Sequence, residues 1–108
     1  MTVREFLDTH GFKALSLPEG EREINGVYAG DLLSWVMGRA EEDQLWITIM
    51  TNANVIAVAS LINVSAVLLA EGVELDEKTL SLAQEKGINV LSSEKSIYEL
   101  CLAAGNTL

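Results

Sequence analysis

The sequence predicts an α/β fold: a single domain with a mostly parallel β-sheet of βαβ units flanked by helices. The prediction rests on three features of the chain. From Leu45 onward, short apolar runs alternate with segments of helical spacing. The runs are residues 45–50 (Leu-Trp-Ile-Thr-Ile-Met), 66–70 (Ala-Val-Leu-Leu-Ala) and 88–91 (Ile-Asn-Val-Leu). They are β-branched-rich and nearly all apolar, as strands covered on both faces are. The connections between them are short. A strand, a crossover helix and a second strand joined in this way form right-handed units with the strands parallel.

The helices carry their own punctuation. Thr2-Val3-Arg4-Glu5 has the form of a capping box, and Val3, Phe6, Leu7 and His10 fall on one helical face. Gly11 is a natural stop. Residues 12–17 alternate weakly and read as a short strand, followed by a turn at Pro18-Glu19-Gly20-Glu21. Residues 23–28 are a second extended piece, bent at Asn25-Gly26. Asp31 is the expected cap of the next helix, in which Leu32, Leu33, Trp35, Val36 and Met37 cover a wide arc. Residues 52–63 form a helix that is apolar almost all round. Asp76 caps a helix over 77–86 closed by Gly87. Ser96-Ile97-Tyr98-Glu99 repeats the capping-box pattern, with Ile97, Leu100, Cys101 and Ala104 on one face and Gly105 as the end.

Composition bounds the function. The 108 residues fit one domain, spanning 1–108, and 49% are apolar. A chain of this size buries roughly two-thirds of its unfolded surface without needing disulfides or metals. One cysteine allows no internal disulfide, and no leader peptide is legible at the N-terminus, so a reducing cytoplasm is the expected setting. Residues 44–70 hold no charge, but Thr48, Thr51, Asn52, Asn54, Ser60, Asn63 and Ser65 interrupt them. No unbroken apolar run approaches the ~20 residues that span a bilayer. Sixteen acids against seven bases give a net charge of −9, which disfavours nucleic acid and anionic membranes as partners.

Few residues point to chemistry. His10 is the one histidine and Cys101 the one cysteine, so no structural zinc set is present. The glycines form neither a phosphate loop nor a dinucleotide fingerprint. No cofactor and no catalysis are expected. In open parallel sheets, however, ligands bind beyond the carboxyl ends of the strands. Three such ends are followed by small polar residues: Thr51, Asn52 and Asn54; Glu71 and Gly72; Ser92, Ser93 and Ser96. They are expected either to line a pocket for a nucleotide or phosphometabolite, helped by helix N-termini, or to serve only as caps and turns. A helix apolar all round needs cover on every side. Part of the 52–63 helix, at Ile56 and Ser60, together with Trp35 and Met37, is therefore expected in a homodimer interface, ordinary core being the alternative.

Several ordered segments resemble a known family. They are Tyr28-Ala29-Gly30-Asp31-Leu32-Leu33-Ser34-Trp35-Val36-Met37, Leu45-Trp46-Ile47-Thr48-Ile49 and Asn54-Val55-Ile56-Ala57-Val58-Ala59-Ser60-Leu61. Ala66-Val67-Leu68-Leu69-Ala70-Glu71-Gly72, Gly87-Ile88-Asn89-Val90-Leu91-Ser92-Ser93 and Ser96-Ile97-Tyr98-Glu99 follow. Together they resemble the small stand-alone members of the DRTGG domain family, over nearly the whole chain. The signature itself is altered: Met50-Thr51-Asn52 stands where Asp-Arg is expected, and Ala70-Glu71-Gly72 where Thr-Gly-Gly is. The Asp-Thr-Tyr segment near the end becomes Ser96-Ile97-Tyr98. The resemblance implies a fold like the N-terminal domain of HPr kinase. It implies a regulatory or dimerising module, as beside CBS domains in regulated pyrophosphatases and within some phosphotransacetylases. It also implies an association with iron-hydrogenase and histidine-kinase-like proteins of anaerobes. The expected function is a non-catalytic regulatory or interaction module that self-associates. The alternatives are a small-ligand sensor, and an accessory partner protein in hydrogenase or histidine-kinase-like systems.

Overall fold

The computed structural model describes residues 1–108. In chain order the elements are α1 (Val3–His10), β1 (Lys13–Ser16), β2 (Val27–Ala29), α2 (Leu33–Arg39), β3 (Leu45–Thr48), α3 (Ala53–Ile62), β4 (Ala66–Leu69), α4 (Glu77–Glu85), β5 (Val90–Ser92) and α5 (Ile97–Thr107). The strands form one sheet in the order β1-β5-β4-β3-β2. β2 to β5 are parallel, in register as Val27↔Leu45, Leu45↔Ala66 and Val67↔Val90. β1 alone runs antiparallel, with Lys13 opposite Ser92 and a register shift between Ala14 and Ser16.

Because side chains alternate across a strand, each parallel strand feeds two cores. Leu45, Ile47, Ala66, Leu68 and Leu91 face α1 and α5, where Val3, Phe6, Leu100 and Ala104 meet them. Trp46, Val67, Leu69 and Val90 face α2, α3 and α4, where Val36, Val55, Ile56, Ala59 and Ala83 close over them. The sheet is thus sandwiched between two helical layers, the arrangement the nearly all-apolar strands imply. Trp46 is fully buried, and its indole N–H donates to the Gly30 carbonyl at 2.9 Å. That bond satisfies the one polar atom such a ring brings into a core.

Caps set the helix starts. The Thr2 hydroxyl accepts from the Glu5 N–H at 3.1 Å, and the Glu5 carboxylate accepts from the Thr2 N–H at 2.9 Å. Ser96 and Glu99 build the same reciprocal pair on α5. Asn52 and Asp76 cap α3 and α4. Asp31 does not cap α2, contrary to expectation. Its carboxylate accepts from the Thr48 hydroxyl at 2.7 Å and the Ile49 N–H at 3.0 Å, so it ties down the end of β3. Leu32 is left at the cap position with no side-chain bond.

Other boundaries shift for similar local reasons. α5 runs through Gly105 to Thr107, since the last residues keep their helical bonds to the preceding turn. α3 is apolar in composition but not covered all round. Val55, Ile56, Val58 and Ala59 are buried, whereas Asn54, Ala57, Ser60 and Leu61 are exposed. Its sheet-facing side is the core. No helix is long and apolar enough to cross a membrane.

Candidate functional site

Parallel packing of β2 to β5 brings four strand ends to one rim. Gly30-Asp31 follows β2, residues 49–52 follow β3, residues 70–72 follow β4 and residues 93–95 follow β5. At the β4 end, Glu71 and Gly72 both have positive φ, 59° and 69°, and the Val73 N–H donates to the Ala70 carbonyl at 3.3 Å. Two successive left-handed residues mark a type I′ turn, which normally takes Asn-Gly or Gly-Gly. The turn is stitched to the β5 loop: the Glu71 N–H donates to Lys95 O at 2.8 Å and the Gly72 N–H to Ser93 O at 2.9 Å.

The rim does not gather all the residues predicted for it. Glu71, Gly72 and Ser93 lie together, and Ser96 follows directly. The Ser93 hydroxyl accepts from the Lys95 N–H at 3.1 Å, and Ser96 is committed to its capping box. Asn52 faces elsewhere: its side chain accepts from the Asn54 N–H at 2.9 Å. It lines a cleft of about 610 Å3 that runs from the start of α3 along α4 to Glu85, beside Asp76 and Lys78. There the Thr79 backbone N–H, then its hydroxyl, holds the Asp76 carboxyl below its ordinary pKa. Thr51 is half-buried, and Asn54 is exposed on the outer side of α3.

The expected interface residues also divide. Trp35 and Met37 are 54% and 50% exposed, with Leu32 at 59% beside them. The Arg39 guanidinium stacks 3.8 Å from the centroid of a Trp35 ring. Tyr28, Leu32, Trp35 and Arg39 line a shallow groove of about 510 Å3 along β2, an edge strand of the sheet. Ser60 is exposed on α3. Ile56, expected at the interface, is fully buried under α3 in the sheet core, so Ala53, Ala57 and Leu61 are the apolar residues that α3 presents outward.

The family model of the DRTGG domain matches residues 20–105. The chain belongs to the DRTGG domain family. Among solved structures, this DRTGG domain is similar to the CBS and DRTGG domains of the regulatory region of Clostridium perfringens pyrophosphatase, complexed with the activator diadenosine tetraphosphate. The match has a TM-score of 0.74 at 16% identity, covering 94% of this chain and 45% of that one. At that identity the likeness is one of fold, and this chain spans less than half of the neighbour's length. No functionally curated protein matches the chain.

Within the DRTGG domain, His10 and Cys101 hold structural places. The Thr107 hydroxyl donates its proton to Ala103 O at 2.7 Å, so the His10 Nε2–H must be the donor in the 2.9 Å bond between His10 and Thr107. The His10 ring stacks on Phe12 and meets Phe6 edge-on. Cys101 is half-buried against the core under α5. No group of three or more His, Cys, Asp or Glu side chains is placed to hold a metal ion.

A groove at the far side of the rim joins Ser92 and Ser93, expected at a ligand site, to residues that were not. It holds about 390 Å3 and is lined by Lys13, Ser92, Ser93, Glu94 and Lys95, with His10 at its edge. Lys95 lies two residues from Ser93 in sequence. Lys13 arrives from the other end of the chain through the antiparallel β1–β5 pairing, for which no local signal existed.

Proposed function

We propose that this DRTGG domain is a non-catalytic regulatory module that acts by self-association, as a homodimer joined through the α2 side. The observation that carries the reading is α2 itself. It has seven residues, too few to hold a helix in water unaided. Only Val36 is fully buried, no side chain caps its start, and Leu32, Trp35 and Met37 point outward. A second copy seated on this face supplies the missing cover. The charge distribution favours the same face. Residues 32–40 contain no acid and residues 44–70 no charge at all, in a chain of net −9. Two such acidic molecules repel least where these stretches meet.

The test is oligomeric mass. Light scattering at micromolar concentration is expected to give twice the chain mass. A twofold interface uses each residue twice. Covering Trp35 alone removes on the order of 100 Å2 of apolar surface per copy, about 2.5 kcal/mol at 25 cal/mol per Å2. Trp35→Asp is therefore expected to weaken the dimer roughly a thousandfold or more and to leave a folded monomer, because the side chain lies outside both cores. A wild-type chain that stays monomeric across the micromolar range refutes the reading.

A second reading, compatible with the first, is that the module senses a small phosphorylated effector. It is favoured by the pyrophosphatase regulatory region, whose CBS and DRTGG domains were solved with a dinucleotide activator. One half-buried, unpaired cysteine suits a reducing cytoplasm as the setting.

A further inference from the structure

We propose that the groove between β1 and the β5 loop is a binding site for a phosphate-bearing small molecule, a proposal that rests on the effector reading above and gives it a place. The groove's volume, about 390 Å3, lies within the range of small-ligand pockets. Two of the four lysines of the chain, Lys13 and Lys95, line it. Neither has a carboxylate within 4 Å, although the chain carries nine more acids than bases. Of the seven basic side chains only Arg4 and Arg22 are paired with an acid, so what sets Lys13 and Lys95 apart is that they share one groove.

The neutral donors fit the same ligand. Lys13 sits directly opposite Ser92 in the β1–β5 register, which puts the two side chains on one face of the sheet. The Ser92 hydroxyl makes no hydrogen bond within the chain. The Ser93 hydroxyl accepts from the Lys95 N–H and keeps its proton free to donate. Glu94 is the one acid in the lining, and its carboxylate is turned against Gly72: a Cβ added there would lie 2.8 Å from Glu94 Oε2. The groove therefore combines two unpaired ammonium groups and two hydroxyl donors. An anion with several acceptor oxygens matches that set, and a single carboxylate uses only part of it.

The experiment is an amide NMR titration of the labelled full chain with inorganic pyrophosphate and with ADP. Shifts are expected at Lys13 and over residues 92–95. Lys13→Ala combined with Lys95→Ala is expected to weaken binding about tenfold or more. Lys78→Ala combined with Lys86→Ala changes the net charge equally and is expected to leave binding within about twofold, since general attraction is screened by salt. Equal weakening by the two double variants overturns the groove. Shifts mapping elsewhere, with the Lys13/Lys95 variant unaffected, also overturn the groove while leaving the effector reading standing. No shift with either probe at millimolar concentration overturns both.

Discussion

Replacing Glu71 by glycine is expected to stabilise the domain. Glu71 has φ 59° at the first central position of the turn after β4. A residue with a Cβ held in the left-handed region costs about 1–2 kcal/mol. Glycine removes that cost, and its looser unfolded chain returns about 0.5–1 kcal/mol of it. Nothing else is lost: the side chain is exposed and makes no hydrogen bond, and the bond from the residue 71 N–H to Lys95 O is made by the backbone. The net gain is about 0.5–1 kcal/mol, or roughly 2–4 °C in Tm for a domain of this length. Glu71→Ala separates strain from charge, because it removes the carboxylate and keeps the Cβ. Thermal and urea unfolding of the three proteins should place Glu71→Gly above Glu71→Ala. A glycine variant no more stable than the alanine variant would show that the turn stores no such strain.

Asn89 is 1% exposed, and its amide donates to Glu19 O at 2.8 Å and Ser65 O at 2.9 Å while accepting from the Glu19 N–H at 2.9 Å. Asn89→Ala leaves the Ser65 carbonyl and the Glu19 N–H without a partner, the Glu19 carbonyl keeping its bond from the Arg22 N–H, and is expected to cost about 2–3 kcal/mol in urea unfolding; a loss below 0.5 kcal/mol, roughly the scale of a surface change, would contradict the network. Thr2→Ala and Ser96→Ala each remove a cap and are expected to cost about 1 kcal/mol, additively, since the boxes share no residue. Hydrogen bonds from Thr2 hold the Glu5 carboxyl below its ordinary value of 4.5, and those from Thr79 hold Asp76 below 3.8. Their stabilisation is fully present above those ordinary values and fades as the pH falls through the lowered ones, because the unfolded chain then binds more protons. Glu5→Gln with Asp76→Asn should flatten the acid limb of the stability curve; an unchanged limb assigns the acid sensitivity elsewhere.

What was legible in the chain was what neighbours in sequence decide. Both capping boxes and the Asp76 cap come from contacts within a few residues, and the three central strands announce themselves by their local apolar composition; all are present, with the strand ends shifted by one or two residues. Structure that depends on distant partners was not legible. Asp31 has the residue type and place of a cap, but Thr48 and Ile49 arrive beside it when β3 pairs with β2, and they claim its carboxylate. Arg22 lies in a stretch with no pattern, yet it bonds Asp43 and the Asn63 carbonyl, two residues that both have positive φ. Ile56 reads as an interface residue because α3 is apolar almost all round, and such a helix barely reveals which side meets the sheet.

The same distinction separates caps from binding groups at the strand ends. Asn52, Ser93 and Ser96 drew attention as polar residues before helices, and each accepts a bond from a backbone N–H within three residues of itself. The acceptor of each is used by its own loop, and of the three only the Ser93 hydroxyl, which lies in the groove, keeps a proton to donate there. Groups without such a bond differ: the Ser92 hydroxyl and the Lys13 and Lys95 ammonium groups have no partner in the chain, and the β1–β5 pairing places them along one groove. Local sequence identifies the polar residues that a helix start consumes. Ser92 and Ser93 stand at a strand end to which the sequence points, but Lys13 joins them only when an antiparallel edge strand brings residue 13 beside residue 92, and for that reason the candidate groove lies between β1 and the β5 end and leaves out the β3 end.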